Sequence, residues 1–80
     1  MDPETAWNEM MEAAAARDWP TAEEFARALL GWLANGGFPP RTSPHEGLTR
    51  EWHVEIAQSV CRLAIKHARA RSLVEQGAAE

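Results

Sequence analysis

The sequence predicts an all-α fold, a three-helix bundle in which a helical hairpin packs on a longer C-terminal helix. Apolar residues recur every three or four positions in three segments, proline and glycine residues interrupt the chain between them, and no segment alternates as a strand would. The predicted helices cover residues 3–17, 22–35 and 50–75, with a proline-rich crossover at residues 38–48. Together they form a single domain.

Length and composition restrict the class of protein. The chain has 80 residues, of which 45% are hydrophobic and 25% are charged, a balance typical of a folded protein with one thin core. No apolar run reaches the roughly 18 residues of a membrane span, and no signal segment opens the sequence. We therefore expect a cytoplasmic protein without a membrane partner.

Charge is unevenly distributed along the sequence. The first 40 residues carry seven acidic and two basic side chains, whereas the last 40 carry five acidic and six basic ones, so the two halves attract each other. The formal net charge of -4 opposes binding to a phosphate backbone, although a local basic strip remains possible.

The first helix is predicted from its N-terminal residues. Asp2 is suited to be the N-cap and Pro3 to be the first helical residue. The apolar stripe of this helix comprises Ala6, Trp7, Met10, Met11 and Ala14.

The second helix is predicted from a start signal and a stop signal. A proline after Trp19 predicts a turn there, and residues 21–24 have the spacing of a capping box. We expect Gly37 to adopt the left-handed C-terminal position, with Phe38 folded back on Leu33. Because apolar residues cover about 200° of this helix, it is predicted to lie at the centre of the fold.

The third helix carries two apolar stripes. The first, which is predicted to pack on the other two helices, holds Trp52, Ile56, Val60, Leu63, His67, Ala70 and Val74, flanked by Ala57 and Ala64. The second lies roughly 150° away and holds Val54, Cys61, Ile65 and Ala68. Since one hairpin cannot cover both stripes, we expect the second to lie against the crossover or to bind another molecule.

Aromatic and histidine side chains give further expectations. Trp7, Trp32 and Trp52 lie one per helix on the predicted core faces and should meet at the centre of the bundle. His67 is expected to be a core histidine with one polar partner, or else part of a pH-sensitive interface. Trp19 either seals the end of the hairpin or anchors a partner.

A basic strip, defined as Arg62, Lys66 and Arg69, runs between the two stripes of the third helix. Three interpretations are open: a solvated face, pairing with the acidic first helix, or contact with nucleic acid. The strip lacks interleaved aromatic residues, and no helix-turn-helix precedes it.

The sequence predicts no catalytic residue, no metal, no cofactor and no small-molecule substrate. His53 and His67 are too far apart along one helix to share a metal, and Cys61 diverges from His67 around that helix. Ser59 and Glu55 have no histidine beside them, and no phosphate-binding glycine motif is present. Cys61 is expected to be a small buried hydrophobic residue or part of the binding stripe.

Two segments resemble known sequences. Residues 6–35, with a joint at residues 17–20 and alanines at positions 14, 22 and 26, resemble a single tetratricopeptide-type helix hairpin. This resemblance implies protein binding through a helix groove, although no second repeat follows. Residues 32–40, Trp-Leu-Ala-Asn-Gly-Gly-Phe-Pro-Pro, are similar to a segment of small uncharacterised bacterial and phage proteins, which implies no activity.

These observations favour a non-enzymatic protein-interaction module that self-associates or is a small subunit of a larger assembly. The predicted contact residues are Val54, Cys61, Ile65, Arg62, Lys66, Arg69 and Trp19. One alternative is a small nucleic-acid-associated protein that uses the basic strip. The other is a phage-type acidic inhibitor of a host enzyme, which would use Asp2, Glu4, Glu9 and Glu12.

Overall fold

A computed structural model describes the backbone of residues 1–78 and the side chains of residues 1–74. Helix α1 spans Pro3–Ala15, α2 spans Trp19–Ala34 and α3 spans Arg50–Ala78. Within the described residues there is no strand, which confirms the predicted all-α three-helix bundle. Helix α2 packs along both α1 and α3 and is therefore the central helix, as its wide apolar arc predicted.

Helix α3 gives the molecule its elongated shape. Its 29 residues correspond to about 43 Å, compared with about 24 Å for the 16 residues of α2. The molecule measures 50 × 24 × 18 Å. The predicted end of this helix at residue 75 is wrong, because the helix continues through Gly77 to Ala78.

Helix α1 begins at the predicted cap. The Asp2 carboxylate accepts hydrogen bonds from the Glu4 amide at 3.0 Å and from the Thr5 hydroxyl at 2.8 Å. The bond from Thr5 lowers the pKa of Asp2, since it favours the charged form. The helix ends two residues earlier than predicted because Arg17 adopts a left-handed conformation with φ 59°.

The predicted turn and capping box before α2 are wrong. Asp18 is the N-cap, and its carboxylate accepts a bond from the Thr21 amide at 3.4 Å. Trp19 and Pro20 already belong to the first helical turn, where the missing amide hydrogen of proline costs nothing. Trp19 is therefore a helical residue at the end of the hairpin and not part of a turn.

The left-handed residue that ends helix α2 lies one position earlier than predicted. The left-handed residue is Gly36, with φ 82°, and the Gly37 amide donates to the Trp32 carbonyl at 2.9 Å. The Trp32 indole nitrogen donates to the Phe38 carbonyl at 2.7 Å, and the two rings meet edge to face. Phe38 thus packs on the ring of Trp32, whereas the sequence predicted that it would pack on Leu33.

Gly37→Ala should destabilise the protein, because an added Cβ would lie 2.4 Å from the Trp32 ring. Moving that ring breaks its bond to Phe38, so we expect a loss of about 1–3 kcal/mol in a urea titration. The matched control is Gly31→Ala, where a Cβ meets nothing within 4 Å. The control should gain about 0.5–1 kcal/mol, as glycine is a poor helix former. Equal effects of the two changes would contradict the close approach.

The core is built from two matching rows of small and medium residues. The inner face of α3, as we call its buried side, consists of Ala57, Cys61, Ala64 and Ala68. The buried row of α2 consists of Ala22, Ala26, Leu29 and Leu33. Both rows follow intervals of four, three and four residues, and small side chains let two helices approach closely. Trp7 and Met10 of α1 complete the core.

The sequence analysis predicted the core face of α3 only in part. Ala57 and Ala64, expected beside the first stripe, are buried, and Ile56 and Val60 of that stripe pack against the core. Trp52, Leu63 and Val74 are all more than half exposed, whereas Cys61 is fully buried. Val54 and Ile65, predicted to be free for a partner, are partly buried and pack against the core. The reason is size: the face of α3 with alanine and cysteine fits the close-packed row of α2, and large side chains would hold the helices apart.

The prediction for the aromatic cluster and the predicted core position of His67 are also wrong, whereas a role of His67 in a pH-sensitive interface stays a prediction. Trp7 is buried in the core, but Trp32 lies at the end of α2 and Trp52 is 51% exposed, so the three rings do not form one centre. His67 is exposed and stacks on Trp19, with ring centroids 5.4 Å apart and an interplanar angle of 14°. This stack closes the end of the hairpin, one of the two roles expected for Trp19.

The crossover is irregular, as predicted, and is attached to two helices. The Arg41 amide donates to the Glu4 carboxylate of α1 at 2.7 Å. The Thr42 amide and hydroxyl lie 3.2 and 2.9 Å from Nδ1 of His53 on α3. Pro40 is fully buried beneath them. These contacts fix the crossover along α1 and the first turn of α3.

Candidate interaction surface

Among the described side chains, exposed apolar residues lie on α3 about 130° around the helix from the inner face. Three side chains define this outer face of α3: Trp52, Leu63 and Val74, which are 51%, 52% and 60% exposed. Leu73, which is 68% exposed, lies about 80° from Leu63 around the helix, beside the charged residues. Ile56 and Val60 lie at its edge and are half-buried. Eleven residues make three helical turns plus about 20°, so Trp52, Leu63 and Val74 recur on one line along the helix. The outer face is therefore a row of three exposed apolar side chains, separated by about 16.5 Å along the helix axis.

Charged residues beside the outer face are separated by sign. Glu51 and Glu55 lie in the first two turns of α3, and the basic strip of Arg62, Lys66 and Arg69 follows. All five side chains are exposed, and none forms an ion pair with another described residue. Within a single chain the basic strip is thus not paired with the acidic first helix, and pairing with that helix across a dimer, the other form of this interpretation, stays a prediction.

Three of the seven predicted contact residues contribute to the core. Cys61 is fully buried, so a partner reaches it only if α3 leaves α2, whereas Val54 and Ile65 pack against the core and remain partly exposed. The other four are at the surface: the basic strip is exposed and Trp19 is half-buried. The residues that the sequence analysis missed are those of the outer face. One signal could have identified them: the inner face of α3 and the buried row of α2 share the same spacing of four, three and four residues.

Cys61 is an inert thiol in this environment. Its sulfur lies 3.7 Å from the sulfur of Met10, and burial raises the pKa of Cys61 from 9.0 to about 11. A buried thiolate is costly, and the thiolate is the reactive form. The neutral thiol stabilises the fold fully below pH 9, and this contribution is lost as the pH rises towards 11.

Alkylation of Cys61 should therefore require unfolding. At pH 9 we expect iodoacetamide to modify the native protein at least about a hundredfold more slowly than the protein in urea, as both exposure and thiolate content are reduced. Mass spectrometry over time measures both rates. Equal rates would show that the inner face of α3 opens readily and would contradict its place in the core.

A cleft lies at the far end of the hairpin, next to the stack of Trp19 on His67. Arg17, Pro20 and Glu23 line it from the hairpin, and Ala70 and Val74 line it from α3. Val74 belongs to the outer face as well, so the cleft and the outer face are continuous. Trp19 is therefore placed at the rim of the outer face.

The acidic residues of α1 are only partly available. Asp2 caps the helix and Glu4 binds the crossover, so both carboxylates have partners within the chain. Glu9 and Glu12 are exposed. A surface that mimics a negatively charged ligand would thus have two free carboxylates on α1 where the sequence suggested four.

Neither a metal site among the described residues nor a similar known protein indicates a function. The described part of the chain holds no group of three or more histidine, cysteine or acidic side chains that could bind a metal ion. Among the described helices, none combines the length and apolar character needed to cross a membrane. Comparisons with family models, with curated proteins and with solved structures found no match. The surface itself is the basis for a functional conclusion.

Proposed function

We propose that the protein is a non-enzymatic, cytoplasmic protein-interaction module that works through the outer face of α3, as a self-associating chain or as a small subunit of a larger assembly. The supporting observation is the row of Trp52, Leu63 and Val74, each more than half exposed on one face of one helix. Large exposed apolar side chains grouped on one face are typical of sites of protein association.

The composition of the outer face fits a binding surface. Trp52 offers a large, half-exposed ring, and tryptophan is among the residues that most often dominate the energy of protein interfaces. Ser59, Lys66 and His67, the exposed helical neighbours of Leu63, form a polar border around it. An apolar centre with a polar rim is the usual arrangement of such a site.

The test is purification of the tagged protein from its native cells, comparing wild type with Leu63→Glu. Leu63 is 52% exposed, so this change should leave the fold intact and remove any bound protein, including untagged copies of the chain. Met11→Glu, at an exposed position of α1, is the matched control and should behave as wild type. Identical partners for all three proteins would contradict the role of the outer face.

Nucleic-acid binding is the second candidate, and the observation in its favour is the exposed, unpaired basic strip. Contacts with phosphate weaken steeply as salt concentration rises. Retention of the protein on DNA at low salt, lost in an Arg62→Ala/Arg69→Ala variant, would support this candidate. Absence of retention, or retention that is independent of salt, would contradict it.

A further inference from the structure

We infer that Asn35 is a site of spontaneous covalent modification, where the side-chain amide is lost through a cyclic imide when the C-terminal cap of α2 opens. This site is separate from the outer face of α3 and does not depend on the proposed function. Three observations carry it: glycine directly follows Asn35, both residues are exposed, and hydrogen bonds of the cap hold the two reacting groups.

The reaction requires an asparagine followed by a residue with an accessible backbone nitrogen. The Gly36 nitrogen attacks Cγ of Asn35, the new C–N bond closes a five-membered imide, and Nδ2 leaves as ammonia with the proton of the attacking nitrogen. Water then opens the imide at one of its two carbonyls and gives aspartate or isoaspartate. Glycine favours the attack because it has no Cβ beside the nitrogen. Since both residues are exposed, water reaches them directly.

The folded cap keeps the reacting groups apart. Nδ2 of Asn35 donates to the Gly31 carbonyl at 3.0 Å, and the Gly36 amide donates to the Leu33 carbonyl at 3.0 Å. Ring closure requires the Gly36 nitrogen to be nearly eclipsed with Cβ of Asn35 about the Cα–C bond. The ψ angle of Asn35 is 12°, which turns that nitrogen away from the side chain. The reaction therefore follows local opening of the cap, and helix ends open more easily than the core.

The side chain of Trp32 stabilises the closed cap. Its indole nitrogen donates to the Phe38 carbonyl at 2.7 Å, and its own carbonyl accepts from the Gly37 amide at 2.9 Å. These two bonds fasten the chain directly after Asn35 and Gly36 to the last turn of α2. Removal of the indole donor should therefore make the cap open more often and increase the rate of modification.

Modification would weaken the end of α2. Either product carries a carboxylate at the C-terminal end of the helix, where the helix dipole makes a negative charge unfavourable. Isoaspartate also adds one atom to the main chain directly before Gly36. The bonds from the amides of Gly36 and Gly37 back to α2 then no longer fit, so we expect the contact between Trp32 and Phe38 to be lost.

Peptide mass spectrometry of the full chain, incubated at pH 8 and 37 °C with and without urea, tests the inference. We expect aspartate and isoaspartate at position 35, formed at least about tenfold more slowly in the native protein than in urea, because the cap must open first. Trp32→Phe removes the indole donor and should raise the native rate about threefold or more. Its rate in urea should equal that of the wild type, since Asn35 and Gly36 are unchanged.

Asn8 is the control within the same chain, as it is exposed on α1 and is followed by Glu9. In urea it should react far more slowly than Asn35. Equal rates at the two asparagines in urea, or no reaction at Asn35, would overturn the modification site. Equal rates at Asn35 with and without urea would overturn protection by the cap, and this comparison holds even if Trp32→Phe does not fold. A folded Trp32→Phe with the wild-type native rate would overturn the role of the indole.

Discussion

The double variant Val54→Glu/Ile65→Glu is expected to lose most of its helical structure. Both side chains are partly buried against the core, and each glutamate would bring a carboxylate there without a partner. We expect a combined loss of about 3–6 kcal/mol, against a total stability of roughly 4–12 kcal/mol for a domain of this size. Circular dichroism at 222 nm and urea titration measure the effect.

The matched control for this double variant is Trp52→Glu/Leu63→Glu on the outer face. Both residues are about half exposed, so the helix content should remain that of the wild type while any association is lost. If Trp52→Glu/Leu63→Glu unfolds and Val54→Glu/Ile65→Glu remains folded, the face with Trp52 and Leu63 is the one that packs in the core.

Leu29→Ala is expected to lower the free energy of unfolding by about 2–5 kcal/mol. Leu29 is fully buried on α2, the helix that contacts both others, so the resulting cavity cannot be filled by one neighbour alone. Urea titration measures the change. Leu73→Ala removes the same atoms from a side chain that is 68% exposed, and should cost less than about 0.5 kcal/mol. Similar losses for the two variants would contradict the central position of α2.

The fold class and the central helix could be predicted because they depend on features within each segment. The wide apolar arc of α2 requires neighbours on two sides, and this holds whichever residues those neighbours supply. The cap at Asp2 is likewise local, since its carboxylate bonds only to Glu4 and Thr5. Predictions of this kind do not depend on how the helices are arranged in space.

The face of α3 that enters the core could not be predicted from its apolar pattern. The sequence analysis assigned the first stripe as a whole to the core, whereas the buried row lies between the two stripes: Ala57 and Ala64 flank the first, and Cys61 and Ala68 belong to the second. The structure buries Ala57, Cys61, Ala64 and Ala68, because this row fits the row of α2 at close distance. The fit is a property of two helices together, and only a comparison of both rows would have indicated it.

The candidate site was missed for the same reason. When the first stripe is assigned to the core, Trp52 and Leu63 become predicted core residues. Val54 and Ile65 of the second stripe then become the predicted contacts. The basic strip was placed correctly at the surface, because it lies between the two stripes and is exposed with either assignment. The sequence analysis expected α3 to have more apolar surface than its neighbours cover. The uncovered surface is the outer face, and not the second stripe as predicted.

The smaller errors have local physical causes. Pro20 was taken to exclude Trp19 from a helix, but the residue before proline can be helical in the first turn, where Asp18 caps the chain. Gly36 and Gly37 are adjacent, and either could take the left-handed position. The ring of Trp32 decides between them, since it packs on Gly37 and leaves Gly36 to turn the chain.

A dilution series followed by methyl NMR tests most directly whether the outer face of α3 is the surface that binds. If copies of the chain associate, the methyl resonances of Leu63 and Val74 are predicted to shift on dilution, because they lie on that face. Those of Val54 and Ile65 should shift far less, since they pack within one chain. Shifts concentrated at Val54 and Ile65 would contradict the assignment.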